Sequence, residues 1–217
     1  TVQYTYSPVV SSPWDGTTVA TSFHDGNGTQ ENPYIIFDGN ELAYLANQVN
    51  SGVSYANTYF TLTCDIDLND YAFITIGDDT HPFLGNINGR GHSIQNYTIS
   101  GSSTYVGFFG YFGGSLEHIG FFNGTITSTV SGNANNYAGL IAYMTETGSI
   151  SNVYTNSKVF ISGAYYIYAG GLVGYMHGGS ITNSWSSRDV SATNANLFAY
   201  AGGITGYINA GTIFGCY

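Results

Sequence analysis

A repeat with a period of 32 residues governs the C-terminal half of this sequence. The segments YVGFFGY (residues 105–111), YAGLIAY (137–143), YAGGLVGY (168–175) and YAGGITGY (200–207) share one pattern. Their closing tyrosines stand at positions 111, 143, 175 and 207, three successive steps of 32. An unvarying period over four copies is typical of repeat proteins, in which each copy forms one unit that stacks on the next.

Each copy predicts three short strands separated by turns. The tyrosine segment is followed by GSL (114–116), GSI (148–150), GSI (179–181) or GTI (211–213), with Asn152 and Asn183 closing two of these strands. A more variable strand is predicted at 125–130, 158–161 and 189–192. Turn residues recur too often for helices, so 32 residues with three turns predict one coil of an all-β parallel β-helix. Stacked coils lie about 4.7–4.9 Å apart, which would place the tyrosines in a ladder.

The N-terminal half carries a single helical pattern, in residues 39–52. Leu42, Leu45, Ala46 and Val49 follow helical spacing, Asp38 or Asn40 is positioned to cap the start, and Gly52 to end it. A short amphipathic helix before a solenoid predicts an end cap. Residues 59–68 (YFTLTCDIDL) alternate apolar and polar side chains, which predicts a half-buried strand.

The domain organisation that we predict has two parts. Residues 1–26 are predicted to form an extended N-terminal arm that has no place in the repeat. Residues 27–217 are predicted to form the β-solenoid domain, with a short capping helix near 40–51 and repeats near 105–136, 137–167, 168–199 and 200–217.

Charge excludes several functions. The chain has three basic residues (Arg90, Lys158 and Arg188) and a formal net charge of -10. No basic stripe is available for nucleic acid, an anionic membrane surface would repel the chain, and no apolar run reaches the ~18 residues of a membrane span. The low content of charged residues, 7%, and the start at Thr1 predict a secreted, extracellular or cell-surface protein whose leader has been removed.

The two cysteines, Cys64 and Cys216, are predicted to lie in different coils as buried free thiols rather than as a disulfide.

An ordered series of segments resembles the GLUG-repeat proteins, which are bacterial secreted and cell-surface adhesins. The series is GTQENPYII (28–36), LAYLA (42–46), LTCDIDL (62–68), ITIG (74–77), PFLG (82–85), GRGHSI (89–94) and the GLVGY-type repeats. The resemblance implies a right-handed β-helix, an extracellular location, and adhesion or scaffolding without a general catalytic motif. Departures are Ala142 in place of a repeat glycine, Arg90 in a turn, and the unmatched arm.

Catalytic and metal-binding patterns are weak, so we expect neither an enzyme nor a cofactor. Asp65 or Asp67, Asp78 with Asp79, and His92 resemble in outline the acids and histidine of polygalacturonase-like hydrolases, which are also β-helices. The downstream basic pair is missing, and this remains a remote alternative. Asp65, Asp67 and Asp70 are spaced like calcium ligands, but they lack a closing glutamate. Sequons for N-glycosylation stand at Asn27, Asn96 and Asn123.

Sequence features at the two ends of the chain predict self-assembly. The arm alternates like a strand and the last repeat lacks its third strand, so the arm of one copy is predicted to join the open edge of the next in a head-to-tail homopolymer. The candidate residues are Val2, Tyr4, Tyr6, Val9, Ile213, Phe214 and Tyr217. Two alternatives remain open: one domain of a larger cell-surface adhesin, or a glycan-binding module that uses Trp14 and Trp185.

Overall fold

The computed structural model describes residues 10–130, 134–163, 165–193 and 197–217, and within them it contains one helix and twenty strands. In chain order the elements are β1 (Tyr34–Ile36), α1 (Gly39–Asn50), β2 (Tyr59–Leu62), β3 (Ile66–Asp67), β4 (Asn86–Asn88), β5 (Ser93–Gln95), β6 (Thr98–Gly101), β7 (Tyr105–Phe112), β8 (Ser115–Phe122), β9 (Thr125–Val130), β10 (Asn136–Met144), β11 (Ser149–Thr155), β12 (Lys158–Gly163), β13 (Tyr166–Gly170), β14 (Val173–Met176), β15 (Ser180–Thr182), β16 (Trp185–Ser186), β17 (Val190–Thr193), β18 (Phe198–Gly202), β19 (Thr205–Ile208) and β20 (Thr212–Phe214).

Three parallel sheets of ten, six and four strands run along the molecule. Each coil of the repeat region passes through the six-stranded, the ten-stranded and the four-stranded sheet in that order, as β7, β8 and β9 do before β10, β11 and β12. Equivalent strands of successive coils pair in parallel. The predicted parallel β-helix is therefore confirmed.

The register of the stack follows the 32-residue period. Tyr111 pairs with Tyr143, Tyr143 with Tyr175, and Tyr175 with Tyr207. The predicted third strands are β9, β12 and β17, which also pair with one another. Because the coils stack in register, each core position is filled by a column of similar side chains, such as the fully buried Phe112, Met144 and Met176.

The ten-stranded sheet bends where residues adopt left-handed backbone conformations. His118 (φ 50°), Asn152 (φ 52°) and Asn183 (φ 48°) occupy the bend in successive coils. Asparagine adopts this conformation more readily than most residues, because its short amide side chain forms local hydrogen bonds. Asn152 was predicted to close its strand; instead β11 continues through it onto a second facet of the same sheet.

The predicted helix is confirmed as α1, and its apolar side belongs to the solenoid core. Leu42, Leu45 and Val49 are buried, and the carboxylate of Asp38 caps the helix by accepting hydrogen bonds from the backbone N–H groups of Asn40 and Glu41. The N-cap is thus Asp38 rather than Asn40. At the other end the Asn50 side chain bonds the backbone at Thr75 and Gly77, which ties the helix to the next coil.

The described part of the predicted arm, residues 10–26, packs on the solenoid, and the boundary at residue 26 stays a prediction. Val10 forms a parallel bridge with Asp65, and the N–H groups of Ser11 and Trp14 donate to the carbonyls of Asp65 and Asp67. Trp14 is 6% exposed and packs edge-on against Phe73. The indole supplies enough apolar area to hold the segment on the solenoid. Residues 1–9 lie outside the described residues.

The predicted strand over residues 59–68 is two strands, β2 and β3, with a bend between them. The apolar face is confirmed, since Phe60, Leu62, Cys64, Ile66 and Leu68 are all buried. The polar face is not outward throughout, because Thr61 and Asp65 are also buried. Residues 10–14 cover Asp65, and this cover comes from a part of the chain with no repeat pattern.

Both cysteines are free, as predicted, but only Cys64 is fully buried. Its Sγ donates to the Phe37 carbonyl oxygen at 2.8 Å, and burial raises the pKa of the thiol. Cys216 is half-buried in the last described coil.

Candidate functional site

The most regular surface of the molecule is a double column of tyrosines on the six-stranded sheet, here called the tyrosine face. The closing column consists of the last tyrosine of each repeat motif, and the opening column consists of the first. The closing column is Tyr111, Tyr143, Tyr175 and Tyr207, and the opening column is Tyr105, Tyr137, Tyr168 and Tyr200.

Rings within each column stack face to face. Tyr143 lies between Tyr111 at 4.7 Å and Tyr175 at 5.2 Å, measured between ring centroids, with interplanar angles of 10° and 3°. The opening column repeats this arrangement at 5.2–5.3 Å. Rings of the two columns meet edge to face, as Tyr137 and Tyr143 do at 80°. The predicted ladder is confirmed, and the structure adds a second one.

The spacing of the opening column has one irregular step, which is accommodated by a break between two strands. The opening tyrosines stand at 105, 137, 168 and 200, so one step is 31 rather than 32 residues. The segment after Tyr168 has an additional glycine, Gly171, and there the single strand β10 is matched by two strands, β13 and β14. Gly170 is needed here, because a Cβ at this position would lie 1.8 Å from the Val173 carbonyl oxygen.

Several phenols of the tyrosine face are held in their neutral form. Burial, and to a smaller extent the neighbouring phenols, raise the pKa of Tyr143 and Tyr168 to about 12. Burial also raises the pKa of Tyr105, Tyr137 and Tyr175. These hydroxyl groups therefore act as hydrogen-bond donors and acceptors and not as nucleophiles.

The C-terminal end of the described solenoid is open on its outer side. It is formed by β17, the third strand of the preceding coil, and by β18, β19 and β20 of the last described coil. Ile208 continues the column of Met144 and Met176, which are fully buried, yet it is 49% exposed. Of the predicted assembly residues, Phe214 is 74% and Tyr217 81% exposed. Ile213 is half-buried and packs against the core. The predicted partners Val2, Tyr4, Tyr6 and Val9 lie outside the described residues.

The weak calcium candidates Asp65, Asp67 and Asp70 make separate contacts. Asp65 Oδ1 accepts from the Ser93 N–H at 2.8 Å, whereas Asp67 Oδ1 accepts from the Asn69 N–H and from the Asn96 side chain. Asp70 is exposed, in a turn with φ 59°. Over residues 10–130, 134–163, 165–193 and 197–217, no three His, Cys, Asp or Glu side chains are grouped to hold a metal ion.

The acids of the polygalacturonase-like alternative are occupied by structural hydrogen bonds. Asp65 and His92 do come together, with Oδ1 and Nδ1 3.4 Å apart, but both side chains are largely buried. Asp78 accepts instead from Thr80 and His81, beside it in the chain.

Two of the three sequon asparagines are part of a corner of the solenoid. The Asn123 side-chain amide donates to Asn96 Oδ1 at 3.2 Å, and the Asn96 amide donates to Asp67 Oδ1 at 2.9 Å. Asn27 lies in an exposed turn, where its Oδ1 accepts from Thr29. Modification of Asn27, Asn96 or Asn123 stays a prediction.

Comparison with known proteins finds two relatives by sequence. The chain is 36% identical over 161 residues to halomucin of Haloquadratum walsbyi, covering 67% of the chain and 2% of halomucin. It is 36% identical over 98 residues to a provisionally assigned Gly-rich membrane protein of Evansella cellulosilytica, covering 42% of the chain and 11% of that protein. The chain therefore spans a small fraction of both relatives. No model of a known protein family matches it.

A solved structure shares the fold. It is a provisionally assigned immunoglobulin A1 protease from Bacteroides ovatus, with a TM-score of 0.61, 22% identity, and coverage of 90% of this chain and 77% of that one. At this identity the likeness supports the solenoid fold and nothing about activity. In the described residues, no helix is long and apolar enough to cross a membrane.

Proposed function

We propose that the chain is a non-catalytic structural and adhesive β-solenoid of the cell surface or extracellular space, which associates head-to-tail with further copies of itself. The observation that carries the proposal is the open last coil. Within the described residues, β17, β18, β19 and β20 each pair with a strand on one side only. Unpaired strand edges flanked by exposed apolar side chains are templates for pairing with another chain.

The two ends of the solenoid differ in how their apolar side chains are covered. The helix α1 and residues 10–36 pack against the first coils, whereas Ile208 and Phe198 of the last coil are about half exposed. A second copy that places its own strands against β17–β20 would bury these side chains and pair their backbone groups. Residues 1–9, with the alternation of Val2, Tyr4 and Tyr6, are proposed to supply the added strand.

A non-catalytic role is supported by the state of the polar side chains. The carboxylates of Asp65, Asp67 and Asp78 accept structural hydrogen bonds, and burial favours the neutral phenols of Tyr143 and Tyr168. The net charge of -10 makes nucleic acid an unsuitable partner. A surface location is supported by composition and by the relative described as a Gly-rich membrane protein.

A second candidate is favoured by the lengths of the relatives. Because the chain matches 2% and 11% of them, it is also suited to be one segment of a larger surface protein. In that case the next coil of the same polypeptide, rather than a second copy, covers β17–β20.

The test is negative-stain electron microscopy and sedimentation of three forms of the chain. We expect fibres or oligomers from the unaltered chain. We expect monomers after Ile208→Lys with Phe214→Lys, because charge on the open edge opposes pairing. Deletion of residues 1–9 is expected to give monomers as well.

The matched control is Phe160→Lys. Phe160 is an exposed aromatic residue on β12, a strand that is paired on both sides. This variant should assemble like the unaltered chain. An unaltered chain that stays monomeric at high concentration would refute self-association and leave the second candidate.

A further inference from the structure

The second facet of the ten-stranded sheet carries a groove with an aromatic wall. Its volume is about 290 Å³, and we call it the aromatic groove. It is lined by Gly91, His118, Ile119, Gly120, Phe122, Asn152 and Tyr154. Trp185 extends the aromatic wall, since its ring stacks on Tyr154 at 5.6 Å and lies 6.4 Å from Phe122.

Register explains how the wall is built. Gly120 occupies the position one coil before Tyr154, so that position of the strand places no side chain of its own beside Tyr154. A Cβ on Gly120 would lie 2.4 Å from Phe122 Cε2, which means that the Phe122 ring lies across the strand in the space that the glycine leaves. Phe122, Tyr154 and Trp185 are each partly exposed.

The tyrosine face does not offer such a surface, although it contains more aromatic rings. Tyr143 has Tyr111 stacked on one side and Tyr175 on the other, so both faces of its ring are occupied. Tyr137 and Tyr168 are likewise stacked on both sides, so within the columns the ring edges and hydroxyl groups are what remain for a ligand. The aromatic groove is therefore better suited to stacking a ligand than the tyrosine face is.

The opposite side of the groove is polar, and its lining residues carry no fixed charge. The nearby Glu117 carboxylate, 3.9 Å from His118 Nδ1, would repel an acidic ligand. The Asn152 amide and His118 Nε2 lie 3.3 Å apart, at the bend of the sheet. An apolar pocket with a few convergent polar groups is the usual form of a small-molecule site. A neutral sugar ring matches this lining, because its C–H face stacks on aromatic rings and its hydroxyl groups bond to amide and imidazole nitrogen and oxygen atoms.

We propose that the aromatic groove binds a neutral polysaccharide, with a pyranose ring stacked on Tyr154 and Phe122 and its hydroxyl groups directed to Asn152 and His118. The residues that line this groove belong to earlier coils than the open edge, although Trp185 lies between Ser184 and Ser186, whose backbone bonds Tyr217. A chain that does not self-associate would still bind the sugar, so the two proposals fail independently.

Tryptophan fluorescence gives a direct readout, because the chain has only two tryptophans. Trp14 is buried, with its Nε1 donating to the Thr18 carbonyl, whereas Trp185 borders the groove. The probes are the neutral hexasaccharides of cellulose, amylose, mannan and xylan, with an oligogalacturonate as the acidic comparison. Titrations use the Ile208→Lys, Phe214→Lys form, so that assembly does not interfere.

We expect a saturable change in emission with at least one neutral hexasaccharide and none with the oligogalacturonate. Tyr154→Ala and Phe122→Ala should each weaken binding roughly tenfold, through loss of a stacked ring. Trp185→Phe should abolish the emission change while calorimetry still detects binding. The control Tyr165→Ala removes an exposed aromatic outside the groove and should leave affinity unchanged.

An NMR titration of the chain with an unsubstituted groove tests the proposal without depending on whether the variants fold. Binding should shift the Trp185 indole resonance and the amides of residues 118–122 and 152–154, and leave the Trp14 indole unshifted. The proposal is overturned if no neutral probe binds, if only the acidic probe binds, or if the shifted resonances lie outside the groove.

Discussion

At the scale of single residues, the repeat is stabilised by side chains that meet their own copies. An aromatic pair contributes about 0.5–1.5 kcal/mol beyond the area it buries. Tyr143 has two such stacked neighbours in its column, whereas Tyr207 has only Tyr175. The contribution of a tyrosine should therefore depend on its position in the column.

Replacing Tyr143 by alanine is expected to lower the free energy of unfolding by about 1–3 kcal/mol from its two stacked pairs, plus the loss of buried area. Tyr143→Phe keeps the ring and should change it by less than about 0.5 kcal/mol. Tyr207→Ala, with one stacked pair, is the matched control and should cost less. Urea unfolding of the three variants measures this, and equal costs for Tyr143→Ala and Tyr207→Ala would contradict the stacking account.

Glu41 is a buried acid at the start of α1, where it bonds the Phe37 N–H and lies 3.6 Å from His24. Burial raises its pKa above the usual 4.5. The folded state thus favours the protonated form of Glu41. The stability that this protonation contributes is complete below pH 4.5 and is lost as the pH rises through the higher pKa of the folded state.

Glu41→Gln should therefore gain stability relative to the unaltered chain as the pH rises from 4 to 7, because the amide has no charge to bury. Urea unfolding at both pH values measures the difference. Glu146→Gln, at an exposed side chain, is the control. A gain of the same size in both variants would show that burial of Glu41 is not the cause.

At the scale of elements, the strands repeat but the covering of the first coils does not. Segment 10–26 and α1 pack against each other and against β3, through Trp14 and through backbone hydrogen bonds such as that from the Ala20 N–H to the Asn40 carbonyl. Trp14 lies directly over Gly39, where a Cβ would come within 2.5 Å of the indole side chain. The segment is thus a structural part of the solenoid.

Trp14→Ala is expected to cost about 3–5 kcal/mol, as for other large buried aromatic side chains. Hydrogen exchange should speed up at the amides of Ser11, Trp14 and Ala20, which bond to β3 and α1. Trp14→Phe keeps a ring against Phe73 and should cost less. Unchanged exchange in the alanine variant would mean that the backbone hydrogen bonds hold the segment without the indole.

At the scale of the whole molecule, the two ends of the described solenoid differ. Its first coils are covered by α1 and segment 10–26, and at the other end β17, β18, β19 and β20 each have one edge without a partner among the described residues. The self-association experiment belongs to this scale. It depends on the unpaired edges of β17–β20 taken together and not on a feature of any one strand. The aromatic groove belongs to it as well, since its lining residues come from three coils and Trp185 adds a fourth.

The sequence by itself determined the parallel stack, its register, the tyrosine ladder and the helix. An in-register solenoid uses the same positions in every coil, so the period in the sequence is also the geometry of the core. Only the tertiary structure decided where Trp14 lies, that Asp65 is buried, and that Gly120, Asn152 and Tyr154 line one groove. These contacts join residues of different coils or of the non-repeating segment. No local sequence pattern predicts these contacts, because they arise from packing between parts of the chain that are distant in sequence.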